Sequence, residues 1–148
     1  MHKQAFIQSL TLGILLLLLP TLTIAQKKIG WETLSTVRYD YSYDDQYGMW
    51  HGDPSFSEEL KKLEGKEIII SGYVIPLDTE GLEYVLSAQP YSACFFCGKA
   101  GKETVMEIFL KKNKARYKMD QRVTFKGKFR LNPGIYGLSF ALEEAVEM

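Results

Sequence analysis

The amino-acid sequence predicts an all-β protein, a five-stranded OB-like Greek-key barrel with an N-terminal arm and one short helix. Three features point there. Beyond residue 65 the apolar residues recur at every second position, most cleanly as Val123, Phe125, Gly127, Phe129 and Leu131 alternating with Thr124, Lys126, Lys128 and Arg130. Five such runs are separated by turn-forming clusters of Gly, Pro, Asn and Asp, as short strands require. Residues 63–73 and 120–127 also read alike, each a polar lead-in followed by apolar alternation and a glycine, which suits the first and fourth strands of such a barrel. Gly72 and Gly127 fall where a closing sheet can coil. An open antiparallel sheet with the arm packed on it is the alternative architecture.

The elements follow in order. Residues 1–25 read as a signal peptide: His2 and Lys3 form a basic start, residues 12–19 an apolar centre, and Thr23 and Ala25 the small positions before a cut at Gln26. The apolar run stops at Pro20, short of the ~20 residues that cross a bilayer, so cleavage is favoured over a retained anchor. No cysteine stands at its end to carry a lipid. The mature chain is therefore expected outside the cytoplasm, periplasmic or secreted.

Residues 26–64 form the arm. Trp31, Leu34 and Val37 fit one face of a two-turn helix, and Tyr39, Tyr41 and Tyr43 alternate as a strand does. So many aromatics do not suit a disordered linker, and the arm is expected to cover part of the barrel. Ser55 or Ser57 caps a short helix over residues 58–63, acidic in its first turn and basic in its last, which Gly65 ends. Residues 65–148 supply the barrel. Strands are expected over 68–77, 83–88, 104–111, 123–131 and 136–142, the last fading into an acidic tail. Asp78-Thr79-Glu80-Gly81 and Asn132-Pro133-Gly134 are turns, and any helix between the third and fourth strands has only residues 113–119 available.

Charge narrows the function classes. The chain carries 18 basic and 18 acidic side chains, and loss of the leader removes Lys3 alone. This balance excludes the basic field of a general nucleic-acid binder, leaving Lys126, Lys128 and Arg130 as a solvated or partner-facing row. No phosphate-cradling glycine loop, Ser-His-Asp order or spaced carboxylate pair is present, so no enzymatic activity is expected.

The two cysteines, Cys94 and Cys97, lie in a glycine-ended loop between the second and third strands. C-x-x-C brings two sulfurs within reach of one tetrahedral metal and is half a zinc site. His51 is the only histidine beyond the leader, Asp53 can orient its ring or bind directly, and Asp78 and Glu80 are further candidate ligands. Two other readings stay open. The cysteines can form a structural disulfide, or pack as thiols beside Phe95 and Phe96. They can also serve thiol exchange, although the motif precedes a strand rather than opening a helix.

Residues 31–34, 63–66, 72–78 and 84–94, above all Gly-Tyr-Val-Ile-Pro-Leu at 72–77 and Pro-Tyr-Ser-Ala-Cys at 90–94, carry a family likeness. The chain resembles exported Bacteroidetes proteins of unknown function and, more distantly, a proteobacterial family of periplasmic or lipid-anchored proteins. In the distant family the loop reads Gly-Ala-Cys-Ile-His; Cys94 matches its cysteine, while Phe96 stands in the place of its histidine and Cys97 follows. The resemblance implies an extracytoplasmic accessory or binding protein linked to zinc homeostasis and an ABC-type export permease. A membrane-protein or transport-complex partner would follow.

Overall fold

The computed structural model describes residues 27–78, 83–112, 116–135 and 137–148. The leader, Glu80, Tyr136 and part of the 113–119 segment lie outside the described residues.

Five strands close the barrel: β4 (Glu67–Pro76), β5 (Tyr84–Ser87), β6 (Val105–Leu110), β7 (Gln121–Leu131) and β8 (Phe140–Glu147). They pair in the order β4-β5-β6-β8-β7, and β7 returns to β4. All neighbours are antiparallel except β6 and β8, which run parallel. This is the closed Greek-key arrangement that the alternation led one to expect. The inward row of β7, Val123, Phe125 and Phe129, is buried with Ile68, Ile70 and Val74 of β4 and Phe140 and Leu142 of β8. Outward residues of the same strands pair with one another. Arg130 donates to Glu143 at 2.7 Å, and Lys126 lies 3.3 Å from Glu67.

Both kink glycines sit where strands touch. A Cβ on Gly72 would stand 2.6 Å from the Ser87 carbonyl oxygen and 2.8 Å from Leu86, and one on Gly127 would stand 2.7 Å from the Glu143 carbonyl oxygen. Close backbone approach, not a left-handed dihedral, demands glycine at these two positions.

The last strand departs from expectation. It occupies Phe140–Glu147 and runs through the acidic stretch that had read as a tail. The reason is the pleat: Phe140, Leu142 and Ala145 turn into the core, while Glu143, Glu144 and Glu147 point outward. Glu144 adopts φ 50°, and the pairing of β7 with β8 shifts register between Lys126 and Lys128. That bulge keeps the apolar side chains inward across an otherwise charged run.

The arm begins with β1 (Lys27–Lys28), which pairs in parallel with the first half of β4 beyond the reach of β5. Two one-turn helices follow, α1 (Trp31–Leu34) and later α2 (Glu58–Lys61), at the two places where the sequence suggested helix. The first stops early because the Ser35 and Thr36 hydroxyls donate to the carbonyls of Glu32 and Thr33, at 2.7 and 2.8 Å, in competition with further helix. Ser57 caps the second, accepting from the Leu60 amide at 3.3 Å, and Gly65 beyond it is left-handed at φ 70°. Ile29, Leu34, Val37, Leu60 and Leu63 all enter the barrel core. Trp31 is fastened by its indole N–H, which donates to the Ser71 carbonyl at 2.8 Å.

Between the helices, β2 (Arg38–Asp44) and β3 (Met49–Ser55) form a separate two-stranded hairpin with Arg38 opposite Ser55 and Asp44 opposite Met49. The arm thus covers the barrel through its helices. The hairpin leaves Tyr41, Tyr43, Tyr47, Met49 and Trp50 exposed.

Candidate functional site

The cysteine loop is a chain of tight turns between β5 and β6. One-turn 3₁₀ segments span Tyr91–Ala93, Phe95–Cys97 and Lys102–Thr104. Gly98 closes the second at φ 68°, donating its N–H to the Phe95 carbonyl at 2.9 Å. A side chain there would meet no atom, so the dihedral alone calls for glycine. The Tyr91 amide donates to the Asp120 carboxylate at 2.7 Å, which ties the loop to the start of β7.

This geometry separates the cysteines. Cys94 is fully buried in a small apolar cluster with Ile75, Val85, Val105 and Leu138, against which Phe95 packs. Cys97 is exposed, and its thiol donates to the Tyr91 carbonyl at 2.9 Å. Both are free thiols. An apolar cage thus surrounds one sulfur and solvent the other.

His51 lies on β3. Its Nε2 is 2.9 Å from the Ser42 hydroxyl and 3.8 Å from the Asp53 carboxylate, so Asp53 does stand beside the ring. Its Nδ1 is the only buried side-chain nitrogen or oxygen among the described residues with no hydrogen-bond partner. Asp78 follows the end of β4 and does not line the cleft described next. Among the described residues no three of His, Cys, Asp and Glu gather as a metal site. The donor set in place, one caged sulfur and one exposed sulfur, does not fit a tetrahedral zinc as it stands.

What the structure does bring together is a cleft of about 580 Å³ between the hairpin and the cysteine loop. Tyr39, Tyr41, Trp50 and His51 form the hairpin wall, and Phe95 and Lys102 the loop wall. Lys102 Nζ sits 6.0 Å from the centroid of the Tyr39 ring, a cation–π separation. Tyr39 donates its hydroxyl to Ser139 at 3.0 Å, and burial pushes its pKa up against that bond, so it remains a neutral donor. His51 and the cysteine loop thus share one cleft through Phe95. Alternation at Tyr39 and Tyr41 was the sequence signal for this wall; Lys102 carried none, because only the tertiary fold brings it across.

Fold and cleft together describe a small closed β-barrel with an open cleft between an aromatic hairpin and the cysteine loop. No protein-family model matches the chain, and no curated protein matches it. Among solved structures it is similar to the crystal structure of a DUF3299 family protein from Pseudomonas aeruginosa PAO1. The two are 15% identical, with a TM-score of 0.54, over 84% of this chain and 97% of that one. The likeness is one of fold, and it accords with the resemblance to a proteobacterial family of unknown function.

Proposed function

We propose that the chain is an exported, non-enzymatic binding protein that takes a segment of a membrane-protein or transport-complex partner into the cleft between hairpin and cysteine loop. The observation that carries this is the orphaned His51 Nδ1, a buried polar atom in the hairpin that walls the cleft. A buried polar group without a partner is costly unless a ligand supplies one. Tyr41 and Trp50 offer flat apolar surface, as aromatic anchors at interfaces do, and Lys102 offers a charge to an acidic or C-terminal carboxylate. The likeness to exported Bacteroidetes proteins, and the use of OB-like barrels as binding modules, support the same reading.

The test is site-specific photocrosslinking in cells that naturally make the protein, with the reactive side chain at Trp50 and, as control, at Lys118, which lines neither concavity. A discrete envelope-protein adduct at position 50, lost in Tyr41→Ala and His51→Ala backgrounds, is the expected result. Equal crosslinking at both positions, or adducts indifferent to those substitutions, overturns the proposal.

A second reading, zinc or another soft metal held by Cys94 and Cys97, is favoured by one observation: two cysteines not joined in a disulfide lie in a single loop. It requires Cys94 to leave its apolar cage and ligands such as His51, Asp53, Asp78 or Glu80 to move in. Near-stoichiometric zinc after purification under reducing conditions, lost in Cys94→Ser/Cys97→Ser, supports it. Metal content unchanged in the double variant rejects it.

A further inference from the structure

A second concavity, of about 960 Å³, shares no lining residue with the cleft. It is made by the outer faces of β4, β7 and β8 with the residues around α2, and six lysines line it: Lys27, Lys62, Lys66, Lys111, Lys126 and Lys128. Three glutamates oppose them, leaving a local excess of three positive charges in a chain of net charge zero. Lys27 lies 3.6 Å from Glu59 and Lys126 lies 3.3 Å from Glu67. Lys62, Lys66, Lys111 and Lys128 have no such carboxylate among the described residues. Four like charges held around one hollow repel each other, and an anionic surface relieves that repulsion.

The apolar neighbours identify the surface. Val146 lies among the lysines and is 43% exposed. Phe109 of β6, two residues before Lys111 in the sequence, is 54% exposed. Lysines flanking solvent-facing apolar side chains match a headgroup layer, where the cations meet phosphates and the apolar groups enter the acyl boundary. Single-stranded nucleic acid would want aromatic platforms along the groove. Among the described residues no aromatic lines it, and the exposed Tyr41, Tyr43 and Trp50 sit on the hairpin.

We infer that this lysine-lined groove is a docking face for an anionic phospholipid membrane, independent of what the cleft binds. Co-sedimentation of the protein without its leader with vesicles of about 30% phosphatidylglycerol in phosphatidylcholine, and of phosphatidylcholine alone, tests it. Each unpaired lysine is worth about fivefold in partitioning near such a surface. Lys66→Glu/Lys128→Glu is therefore expected to lower the partition coefficient by roughly 25-fold or more at about 0.15 M ionic strength, whereas Lys118→Glu, outside the groove, leaves it within about twofold. Circular dichroism melting checks that the variants fold, and Lys66→Gln/Lys128→Gln repeats the comparison without reversing charge. Equal binding to both vesicles, no binding, or binding unchanged in the groove variants overturns the inference. Tighter binding of a single-stranded oligonucleotide than of the anionic vesicles also overturns it.

Discussion

Replacing each cysteine in turn by serine should separate the two sharply. Cys94 is fully buried among Ile75, Val85, Val105 and Leu138, and no hydrogen bond reaches its sulfur. A hydroxyl set in that cage loses its water and finds no acceptor, a cost of about 1–3 kcal/mol. Taking about 2 kcal/mol for a domain of this size, Cys94→Ser should melt roughly 6–12 °C lower. Cys94→Ala, which removes the sulfur and adds no polar group, should cost about 1 kcal/mol. At position 97 the serine hydroxyl is solvated and still able to donate to the Tyr91 carbonyl, so Cys97→Ser should stay within about 0.5 kcal/mol of the parent. Calorimetry in reducing buffer with chelator present measures all three. Timed alkylation adds an independent check, since Cys97 should react in the native protein and Cys94 only after denaturant is added. Equal destabilisation by the two serines, or none by Cys94→Ser, would refute the picture of one packed and one exposed thiol.

Other substitutions test the barrel. Gly72→Ala and Gly127→Ala each force a methyl to within 2.6–2.7 Å of a backbone oxygen, so each should destabilise by about 1–3 kcal/mol despite alanine's stiffer unfolded chain, as measured by urea titration. An unchanged or raised midpoint would mean that the strands do not touch there. Trp31→Phe removes the donor to the Ser71 carbonyl and should cost about 1–2 kcal/mol in the same assay. Tyr117 has its hydroxyl pKa pushed up to about 12 by burial and then by Glu147, whose carboxylate it donates to at 3.1 Å. The folded state therefore keeps a proton that the unfolded chain loses near pH 10, and stability should fall as pH rises from about 10 to about 12. Tyr117→Phe should flatten that alkaline slope, and an unaltered slope in chemical denaturation would assign it to other groups.

The barrel strands were legible because each buries one face, and burial writes period two into the sequence; Ser57, Gly65, Gly72 and Gly127 were legible through their special roles. Two strands were not. The residues Met49 to Ser55 include His51, Gly52 and Pro54, poor strand formers, and they are extended only because Arg38–Asp44 pairs with them. The acidic end of β8 hid its inward residues, since a bulge at Glu144 breaks the strict alternation on which the expectation rested. At the site, spacing marked the cysteine loop but was blind to burial. That Cys94 points into a cage and Cys97 into solvent depends on Val85 and Val105 of the flanking strands meeting Leu138 from a distant segment. The same blindness concealed Lys102 beside Tyr39 and the gathering of six lysines from separate segments of the chain.

The placement of β8 between β6 and β7 has a temporal consequence. Until the final strand docks, those two neighbours present unpaired edges, and Phe125, Phe129 and Ile108 lack the Phe140 and Leu142 surface that covers them in the closed core. A chain in which residues 140–147 are still held, on a ribosome or in a narrow conduit, consequently cannot complete its barrel. Docking of residues 140–147 becomes the event that commits the barrel to its folded form, and a chain cut before Phe140 should remain open and sticky however long it is given to fold.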